Sequence, residues 1–434
     1  MGALDPNGLL AELDWRGLLQ DRTPGLEARL ASGRPIRVYN GFDPSGPSLH
    51  AGHLVPVFGL MHIQRHGGSP VVLVGGGTGM IGDPSGKSAE RNLLDRAQVV
   101  ANTAAIQAQL EHFLDFSPGP TQARVVDNYD WLGTLGLLEF LRDVGKHFTI
   151  PYMLAKDSVQ ARLESGLSFA EFSYMLLQAA DFLHLYRTLG VEVQSGGADQ
   201  WGNITAGLEL IRRVEGAPDG GDGGDPAHAL SYPLLLGANG QKFGKTAEGT
   251  SVWLDPERTS PYAFYQFWLD TDDETVARLI RRFTLLDRPT IEALEAEAAA
   301  APERRLVQRA LAIDLTARVH GPDVAARVEQ ISEAVFSRRL PELGEEILAF
   351  AFEQLPHAVV RPEDLAAGPI GLTVAAGLFE SNGEARRALS QGGVSVNEER
   401  LAGADASLPA PIGGRYLILR GGKKNYRIVR VEPS

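Results

Sequence analysis

Two kinds of segment alternate through the first 215 residues of the chain. Short apolar runs, typical of buried strands, occur at 34–42, 70–75, 123–128 and 191–195. Longer segments with a helical spacing of apolar residues lie at 88–115, 131–147, 168–189 and 201–214. Strands that alternate with helices predict an α/β fold, in which a doubly wound parallel sheet is covered by helices on both faces.

The second half of the chain has a different pattern. Residues 272–352 carry helical periodicity without a strand pattern, which predicts an α-helical domain. A proline-bearing connector follows, and the tail 369–434 has the spacing of a small α+β unit. In that tail a Ser-x-x-Glu pattern starting at Ser381 opens a helix, and Gly392 ends it before the apolar strand VSVN.

Charge is distributed unevenly between these parts. The chain has 54 acidic and 41 basic side chains, a net charge of −13, whereas the tail 369–434 by itself carries +3. The overall charge argues against a protein coated in nucleic acid. A basic module attached to an acidic body nevertheless favours a local contact with an RNA backbone, and a solvated basic face is the alternative.

Some functional classes are excluded by composition. Cysteine is absent, so the chain forms no disulfides and has no thiolate metal site or cysteine nucleophile. No apolar run approaches the length of a membrane span, and the acidic start of the chain does not have the pattern of a signal peptide. We therefore expect a cytoplasmic protein that does not associate with membranes.

Two glycine-rich motifs near residue 80 resemble nucleotide-binding loops without meeting their requirements. Gly77, Gly79 and Gly82 fit the G-x-G-x-x-G of a dinucleotide site, but Pro84 blocks the helix that must follow. The segment GDPSGKS resembles a P-loop, yet its first glycine would have to stand at Ile81. Neither motif by itself predicts a nucleotide site.

A stronger signal follows the first strand, where the chain reads PSLHAGHL. His50 and His53 are three residues apart and share one face of a helix's first turn. Unpaired backbone N–H groups and the positive end of the helix dipole make such a position suitable for a phosphate. Gly52 between them leaves room for a base or ribose to approach the backbone.

Lysine provides the second signal because it is rare, with 7 lysines against 34 arginines. Genome base composition accounts for such a bias, but a lysine kept among arginines is a candidate for a site that a planar guanidinium cannot fill. Lys242 and Lys245 flank a glycine in KFGKT. Two ammonium groups on such a loop can bind a polyphosphate most tightly as charge builds up in a transition state.

Together these elements resemble the HIGH and KMSKS signatures of class I aminoacyl-tRNA synthetases. Within that class the chain resembles the bacterial-type tyrosyl-tRNA synthetases in five co-linear segments: YNGFDPSGPSLHAGHL, LVGGGTGMIGDPSGKSAER, FSYMLLQAADF, GGADQWGNI and KFGKT. The likeness covers nearly the whole chain, and the tail resembles the S4-type RNA-binding fold.

The resemblance implies a tyrosine–tRNA ligase, which activates L-tyrosine with ATP and then transfers it to the 3′-terminal ribose of tRNA(Tyr). ATP would be a substrate accompanied by Mg²⁺ on its phosphates, without a tightly bound cofactor or a metal site in the protein. The resemblance also implies a homodimer and four regions, namely a Rossmann-like catalytic domain with a dimer-forming insertion (1–235), a KMSKS-type loop with an α-helical anticodon-binding domain (236–354), a linker (355–368) and an S4-like RNA-binding domain (369–434).

The site residues implied by the resemblance fall into three groups. Those expected to stabilise the phosphates in the transition state are His50, His53, Lys87, Arg91, Lys242, Lys245 and Thr246. Those expected to bind the rest of the nucleotide, with Lys245 again, are Gly41, Asp43, Gly52, Gly197 and Asp199. Those expected to bind tyrosine are Tyr39 and Asp181 at the phenol, Asp83, Tyr174 and Gln178 at the ammonium group, and Gln200 near the carboxylate.

Spacing supports the tyrosine set independently. Tyr174, Gln178 and Asp181 follow an i, i+4, i+7 pattern, so one face of a helix carries all three. A pocket that hydrogen-bonds a phenol rejects phenylalanine because its buried polar groups then stay unpaired. Tyrosyl-tRNA synthetases are themselves the standard example of this effect, and the discrimination of about 10⁵ is quoted for that family.

Two departures from the family pattern bear on the site. Asn40 stands where the family often has a smaller residue, and Pro56 falls inside the helix that follows the HIGH element. Because proline cannot donate a backbone hydrogen bond to the Gly52 carbonyl, we expect a local kink there.

Three alternatives remain open from the sequence. A tryptophanyl-tRNA synthetase shares the fold, but the pair Tyr39 and Asp181 argues against it. A catalytically inactive synthetase-like protein that binds RNA or has a regulatory role is disfavoured by the intact histidines and loop lysines. A nucleotidyltransferase with an H-x-G-H motif would leave the S4-like tail unexplained.

Overall fold

The protein is described from a computed structural model, which covers residues 6–85, 94–163, 166–216, 225–236, 244, 250–422 and 425–432. It forms two compact units. The first consists of Met1–Asp255 and Thr271–Leu311, and the second of Pro256–Asp270 and Ala312–Ser434. No helix among the described residues is long and apolar enough to cross a membrane.

A five-stranded parallel sheet forms the centre of the first unit. Its strands are β1 (Arg37–Phe42), β2 (Ser69–Val74), β3 (Arg124–Asp127), β4 (Val193–Gly197) and β5 (His228–Tyr232). They lie in the order β3-β2-β1-β4-β5, and every neighbouring pair is parallel. The strand order reverses between β1 and β4, which is where a doubly wound sheet opens a crevice at the carboxyl ends of its strands. The predicted α/β class is therefore confirmed.

The sequence patterns missed only the last of these strands. The segment HALSY of β5 follows a glycine- and aspartate-rich stretch and mixes polar with apolar residues, so it lacks the apolar run of the others. All five of its residues are nevertheless buried. Burial on both faces is the rule for a parallel sheet, and the neighbouring strand β4 supplies that environment.

Ten helices precede the last part of the first unit. They are α1 (Pro6–Trp15), α2 (Leu26–Ala31), α3 (Leu54–Arg65), α4 (Arg96–Leu110), α5 (Tyr129–Leu132), α6 (Leu137–Asp143), α7 (Ile150–Leu154), α8 (Asp157–Gln160), α9 (Phe169–Leu189) and α10 (Trp201–Glu215). The single helix predicted over 131–147 is wrong, because Gly133 and Gly136 separate α5 from α6 and a 3-10 turn follows.

Helix α9 is the longest element next to the site, and its ends are fixed by its sequence. Ser168 accepts a hydrogen bond from the backbone N–H of Glu171, whose side chain reaches back to the Ser168 backbone. At the other end Gly190 adopts a left-handed conformation with φ of 62°. The predicted helix over 168–189 is therefore confirmed almost to the residue.

Six further helices cover the region for which the sequence predicts a helical domain and its margins. They are α11 (Pro261–Leu269), α12 (Asp273–Arg282), α13 (Arg288–Ala300), α14 (Leu306–His320), α15 (Pro322–Ser337) and α16 (Glu345–Gln354). The helical character is confirmed, but the segment 271–311 is grouped with the parallel sheet in the first unit. One reason is a buried contact in which the Arg16 guanidinium donates to the carbonyls of Arg281, Thr284 and Leu286.

The second unit ends in a small mixed sheet. Its remaining elements are β6 (His357–Val360), α17 (Pro362–Ala366), α18 (Gly368–Ala375), α19 (Asn382–Ser390), β7 (Val394–Val396), β8 (Glu399–Arg400), β9 (Tyr416–Gly421) and β10 (Asn425–Val431). The strand order is β6-β10-β9-β7-β8, with β6 parallel to β10 and the other pairs antiparallel. The predicted α+β tail, with its Ser381-capped helix and VSVN strand, is confirmed.

The linker predicted at 355–368 is not a linker in the structure. Strand β6 lies inside it and pairs with β10, and helix α17 follows. Pro356 and Pro362 flank the segment HAVV, and prolines at such positions are typical of a connector. A parallel strand needs a distant partner, and that partner lies some 70 residues further along, in Ile428–Val431. Local pattern could not reveal such a pairing.

Candidate active site

A cavity of about 520 Å³ opens at the carboxyl ends of β1 and β4. It is lined by every predicted site residue that the structure describes: Tyr39, Gly41, Asp43, His50, Gly52, His53, Asp83, Tyr174, Gln178, Asp181, Gly197, Asp199 and Gln200. The other five, Lys87, Arg91, Lys242, Lys245 and Thr246, lie outside the described residues.

The histidine pair stands on a 3-10 turn, Ala51–His53, immediately before α3. The Nδ1 atom of His50 accepts a hydrogen bond from Gly52 N at 3.1 Å, and Nδ1 of His53 accepts one from His50 N at 3.1 Å. The two rings stack with their centroids 3.9 Å apart. Because each Nδ1 is an acceptor, each neutral ring carries its proton on Nε2 and can donate from there.

Glycine is required between the histidines for a local reason. A Cβ atom at Gly52 would lie 2.9 Å from Cε1 of His50, closer than real Cβ contacts. Pro56 produces no break in α3, contrary to the expected kink. The α-helix begins only at Leu54, so Pro56 occupies its first turn, where a missing N–H leaves no helical bond unmade.

Gly244 is the residue of the KFGKT segment that the structure describes, and it lies next to the histidine-bearing turn. Gly244 lines the cavity, and the Cβ position of this residue would lie 3.3 Å from Gly52 N. Its carbonyl accepts a hydrogen bond from Val252 N at 2.9 Å, and Ala51 N donates to the Val252 carbonyl at 2.9 Å. With a φ of 108°, Gly244 adopts a conformation that favours glycine. Gly244 is thus a neighbour of the histidine-bearing turn.

One end of the cavity holds a buried carboxylate with two fixed donors. Asp181 is 1 % exposed, and its oxygens accept hydrogen bonds from Trp131 Nε1 at 2.8 Å and Asn128 Nδ2 at 2.9 Å. Burial raises the pKa of Asp181 to about 8, although both donors act to lower it. The Tyr39 hydroxyl, equally buried, has no hydrogen-bond partner among the described residues.

The neighbouring wall carries two more carboxylates. Asp43 accepts hydrogen bonds from the Tyr174 hydroxyl and from Thr78 Oγ1, both at 2.8 Å. Asp83 accepts from Ser85 N at 2.9 Å and from Gln200 Nε2 at 2.5 Å. The resemblance places Asp43 at the nucleotide, but the structure shows it hydrogen-bonded to Tyr174, one of the residues expected to bind the ammonium group of tyrosine.

Three residues of this network were missed by sequence reasoning. Asn128 donates to Asp181 and, at 3.0 Å, to Thr78 Oγ1, and its own Oδ1 accepts from Gly77 N at 2.7 Å. Trp131 lies one turn further along. A signal was present, because Asn128 follows β3 directly and the carboxyl ends of parallel strands meet at one edge.

The side of the cavity that the resemblance assigns to the nucleotide combines glycines with one acidic group. Gly41 is the penultimate residue of β1, and Gly197 ends β4 before a 3-10 turn, Ala198–Gln200. A Cβ atom at Gly197 would lie 2.7 Å from Oδ1 of Asp199, so no larger residue fits there unless the carboxylate shifts. Bare backbone next to a carboxylate is suited to a ribose whose hydroxyls donate.

Comparison with known proteins agrees with this geometry. Residues 31–337 match the family model described as tRNA synthetases class I (W and Y), and residues 348–429 match the tyrosine–tRNA ligase SYY-like C-terminal domain. A curated tyrosine–tRNA ligase of Anaeromyxobacter dehalogenans is 52% identical over 98% of this chain and 99% of its own length. That of Geobacillus stearothermophilus is 47% identical over 97% of this chain and 99% of its own length.

Solved structures give the same answer. A C-terminally truncated mitochondrial tyrosyl-tRNA synthetase of Aspergillus nidulans is 30% identical with a TM-score of 0.66, and it covers 75% of this chain and 94% of its own. A tryptophanyl-tRNA synthetase of Encephalitozoon cuniculi is 13% identical with a TM-score of 0.52, which shows a shared fold only. The chain belongs to the tyrosyl-tRNA synthetase family of the class I tRNA synthetases.

Proposed function

We propose that the chain is a tyrosine–tRNA ligase, which joins L-tyrosine and ATP into tyrosyl-adenylate and then charges tRNA(Tyr). The observation that carries this function is the pair of Tyr39 and Asp181 at the closed end of the cavity. A phenol hydroxyl both donates and accepts, so it can donate to Asp181 and accept from the unpaired Tyr39 hydroxyl. An indole N–H only donates, which leaves Tyr39 unpaired and disfavours tryptophan.

The ammonium group of tyrosine would lie against Asp83, Tyr174 and Gln178. Asp83 retains lone pairs for this purpose, because a carboxylate can accept about four hydrogen bonds. Asp43, held by the Tyr174 hydroxyl, adds negative charge at the border with the nucleotide. Gln200 next to Asp83 would lie near the tyrosine carboxylate, whose oxygen attacks the α-phosphorus of ATP.

Activation of tyrosine requires positioning and charge stabilisation more than covalent chemistry. As the carboxylate oxygen bonds to the α-phosphorus, the bond to the pyrophosphate oxygen breaks and negative charge moves onto that leaving group. The Nε2–H groups of His50 and His53 would donate to the phosphates. By resemblance, further cations come from outside the described residues: Lys87, Arg91, Lys242 and Lys245, with the Thr246 hydroxyl. Mg²⁺ would arrive on the ATP phosphates.

Exchange of radiolabelled pyrophosphate into ATP tests the activation step without tRNA. The full chain should support exchange with tyrosine and should give only background exchange with tryptophan or phenylalanine. Tyr39→Phe keeps the ring and removes only the hydroxyl, so it should lower kcat/KM for tyrosine by about 10-fold, as expected for one neutral hydrogen bond. Absence of tyrosine-dependent exchange in the wild-type chain would refute the function.

Binding of tRNA is proposed for the helical region and the basic tail. Arg386 and Arg387 are exposed on α19 and supply two of the tail's nine cations. Replacing both by Gln should spare pyrophosphate exchange and weaken tRNA charging, with a shallower dependence on salt. Truncation at residue 369 is a poor test, since it would uncover Leu348 and Phe352, which share a core with Tyr416 of β9.

A homodimer is proposed through the region before α9. Seven of the twelve large apolar side chains that are exposed among the described residues lie between 135 and 169. The most exposed are Leu138 at 81% and Phe169 at 77%. Clustered exposed apolar groups indicate a protein interface. Sedimentation should therefore show a dimer that Leu138→Glu weakens.

We propose that the protein acts in the cytoplasm, which is the site of translation.

A further inference from the structure

Asn203 lies in the first turn of α10, behind the wall that carries Asp83 and Gln200. It is 4% exposed and does not line the cavity. Its Nδ2 atom is 3.2 Å from Gln200 Oε1, 3.4 Å from Asp83 Oδ1 and 3.5 Å from Ser85 Oγ. The shortest of these contacts is the one to Gln200, and it is therefore the strongest.

We infer that Asn203 is a positioning residue for tyrosine: its amide fixes Gln200 and Asp83 in the arrangement that receives the amino acid. The inference rests on the proposed function. A glutamine amide can be turned over, which exchanges its oxygen and nitrogen. Because Gln200 Oε1 accepts from Asn203, Gln200 Nε2 must face Asp83 Oδ2, which it contacts at 2.5 Å.

The opposite orientation of Gln200 would be unfavourable. It would place the amide oxygen against the Asp83 carboxylate and the amide nitrogen against Asn203 Nδ2, so that acceptor faces acceptor and donor faces donor. Asp83 is only 7% exposed, so water cannot readily replace a lost donor. Asn203 thus selects one of two orientations of a residue that touches the substrate, without touching the substrate itself.

The helix end gives no other use for the Asn203 side chain. Asparagine near the start of a helix often caps free backbone N–H groups. Here the N-terminus of α10 has no side-chain cap, and the Asn203 amide nitrogen is directed at Asp83, Ser85 and Gln200 instead. The side chain therefore supports the amino-acid site rather than the helix.

The test compares Asn203→Ala and Asn203→Asp with the wild-type chain. Both remove the donor, and the aspartate also places a second carboxylate beside Asp83. We expect the Kd for tyrosine, measured by calorimetry without ATP, and the KM for tyrosine in exchange to rise by about 10- to 100-fold. The KM for ATP should stay within about twofold, because no nucleotide contact is lost.

Gln308→Ala is the matched control. Gln308 is another buried amide, 2% exposed, and it lies in α14, a helix that contributes no residue to the cavity lining. Its Nε2 atom donates to Oδ1 of Asp273 at 2.6 Å. Its loss should lower the melting temperature as much as the loss of Asn203 while leaving the KM for tyrosine unchanged. Asn203→Ser, whose hydroxyl donor lies nearer the backbone than the asparagine Nδ2, serves if the other changes prevent folding, and it should show a smaller rise in the KM for tyrosine with the KM for ATP again unchanged.

A double-mutant cycle with Gln200→Ala decides whether Asn203 acts through Gln200. If it does, the two losses are less than additive, and the double variant binds tyrosine only slightly more weakly than Gln200→Ala by itself, through the remaining contact of Asn203 with Asp83. Additive losses, or a lowered melting temperature with an unchanged KM for tyrosine, would overturn the inference. A wild-type chain without tyrosine-dependent exchange would instead refute the proposed function, so the two failures are distinguishable.

Discussion

The two ends of the cavity are built from different kinds of bond. At the end proposed to bind tyrosine (the tyrosine end), side chains bond to one another: Asp181 is held by Asn128 and Trp131, while the buried Tyr39 ring packs against Phe182. At the end proposed to bind the ATP phosphates (the phosphate end), the side chains of His50 and His53 bond to backbone N–H groups of a single turn and remain partly exposed.

This difference matches what each end would recognise under the proposed function. Rejection of phenylalanine depends on polar groups that stay buried and costly when unpaired, and that requires a dry, fixed network. A triphosphate brings its own charge and needs donors at the right positions, which a helix start and its preceding turn supply. Substitutions at the tyrosine end should therefore reduce the selectivity for tyrosine over phenylalanine, and substitutions at the phosphate end should reduce the rate of activation.

The largest effect is expected from Asp181→Asn. The amide has a single acceptor oxygen, so it cannot accept from both Asn128 and Trp131 and leaves the phenol hydroxyl without its acceptor, which together cost about 4 kcal/mol. The value of kcat/KM for tyrosine should fall by about 10³-fold, and that for phenylalanine by much less, so that the ratio of the two falls. Equal losses for both amino acids, measured by pyrophosphate exchange, would show that Asp181 does not recognise the phenol.

How far the sequence could predict the fold depended on the range of the pattern involved. Strands β1 to β4 and helix α9 carry their own apolar periodicity and caps, and they were found. Strand β6 was missed because its partner β10 lies at the far end of the chain. The helix predicted over 131–147 failed because two glycines override a periodicity that continues across them.

The site was predictable where a motif names the residue and unpredictable where a side chain acts through another. All thirteen described residues of the predicted set line one cavity. Asn128 and Asn203 do not line the cavity and were missed because each acts by bonding to other side chains. Thr78 does line the cavity, but it was missed because its part in the network is a bond to Asp43 and Asn128. Only tertiary packing brings Asn128 to Asp181, 53 residues apart in sequence.

A smaller loss, in rate, is expected at the phosphate end from His53→Ala. Removing one preorganised donor to a developing charge costs about 10²-fold in kcat. Glutamine can replace the Nε2 donor and asparagine the Nδ1 acceptor of the ring, so the two variants separate these roles. We expect His53→Gln to retain more activity than His53→Asn, with the KM for tyrosine unchanged in both. The reverse order would mean that His53 matters only through its bond to His50 N.

The last effect concerns stability rather than activity, and it depends on the charge of the tyrosine end before substrate binds. The folded protein holds the Asp181 proton up to a pKa of about 8, whereas the unfolded chain releases it near the ordinary value of 3.8. Stability contributed by this proton is therefore complete below pH 4 and is lost as the pH rises towards 8, by at most about 1.4 kcal/mol per pH unit. Asp181→Asn lacks this loss.

Urea unfolding of the full chain at pH 5, 6.5 and 8 measures the difference directly. Relative to wild type, Asp181→Asn should gain stability as the pH rises, and Asp130→Asn, which changes an exposed carboxylate, is the control for the loss of a carboxylate as such. A constant difference between Asp181→Asn and wild type would mean that the donors Asn128 and Trp131 outweigh burial and keep Asp181 ionised. Asp181 would then carry its negative charge before tyrosine binds. The two ends of the cavity would in that case differ in rigidity, but both would meet their ligand with charged or polar groups already in place.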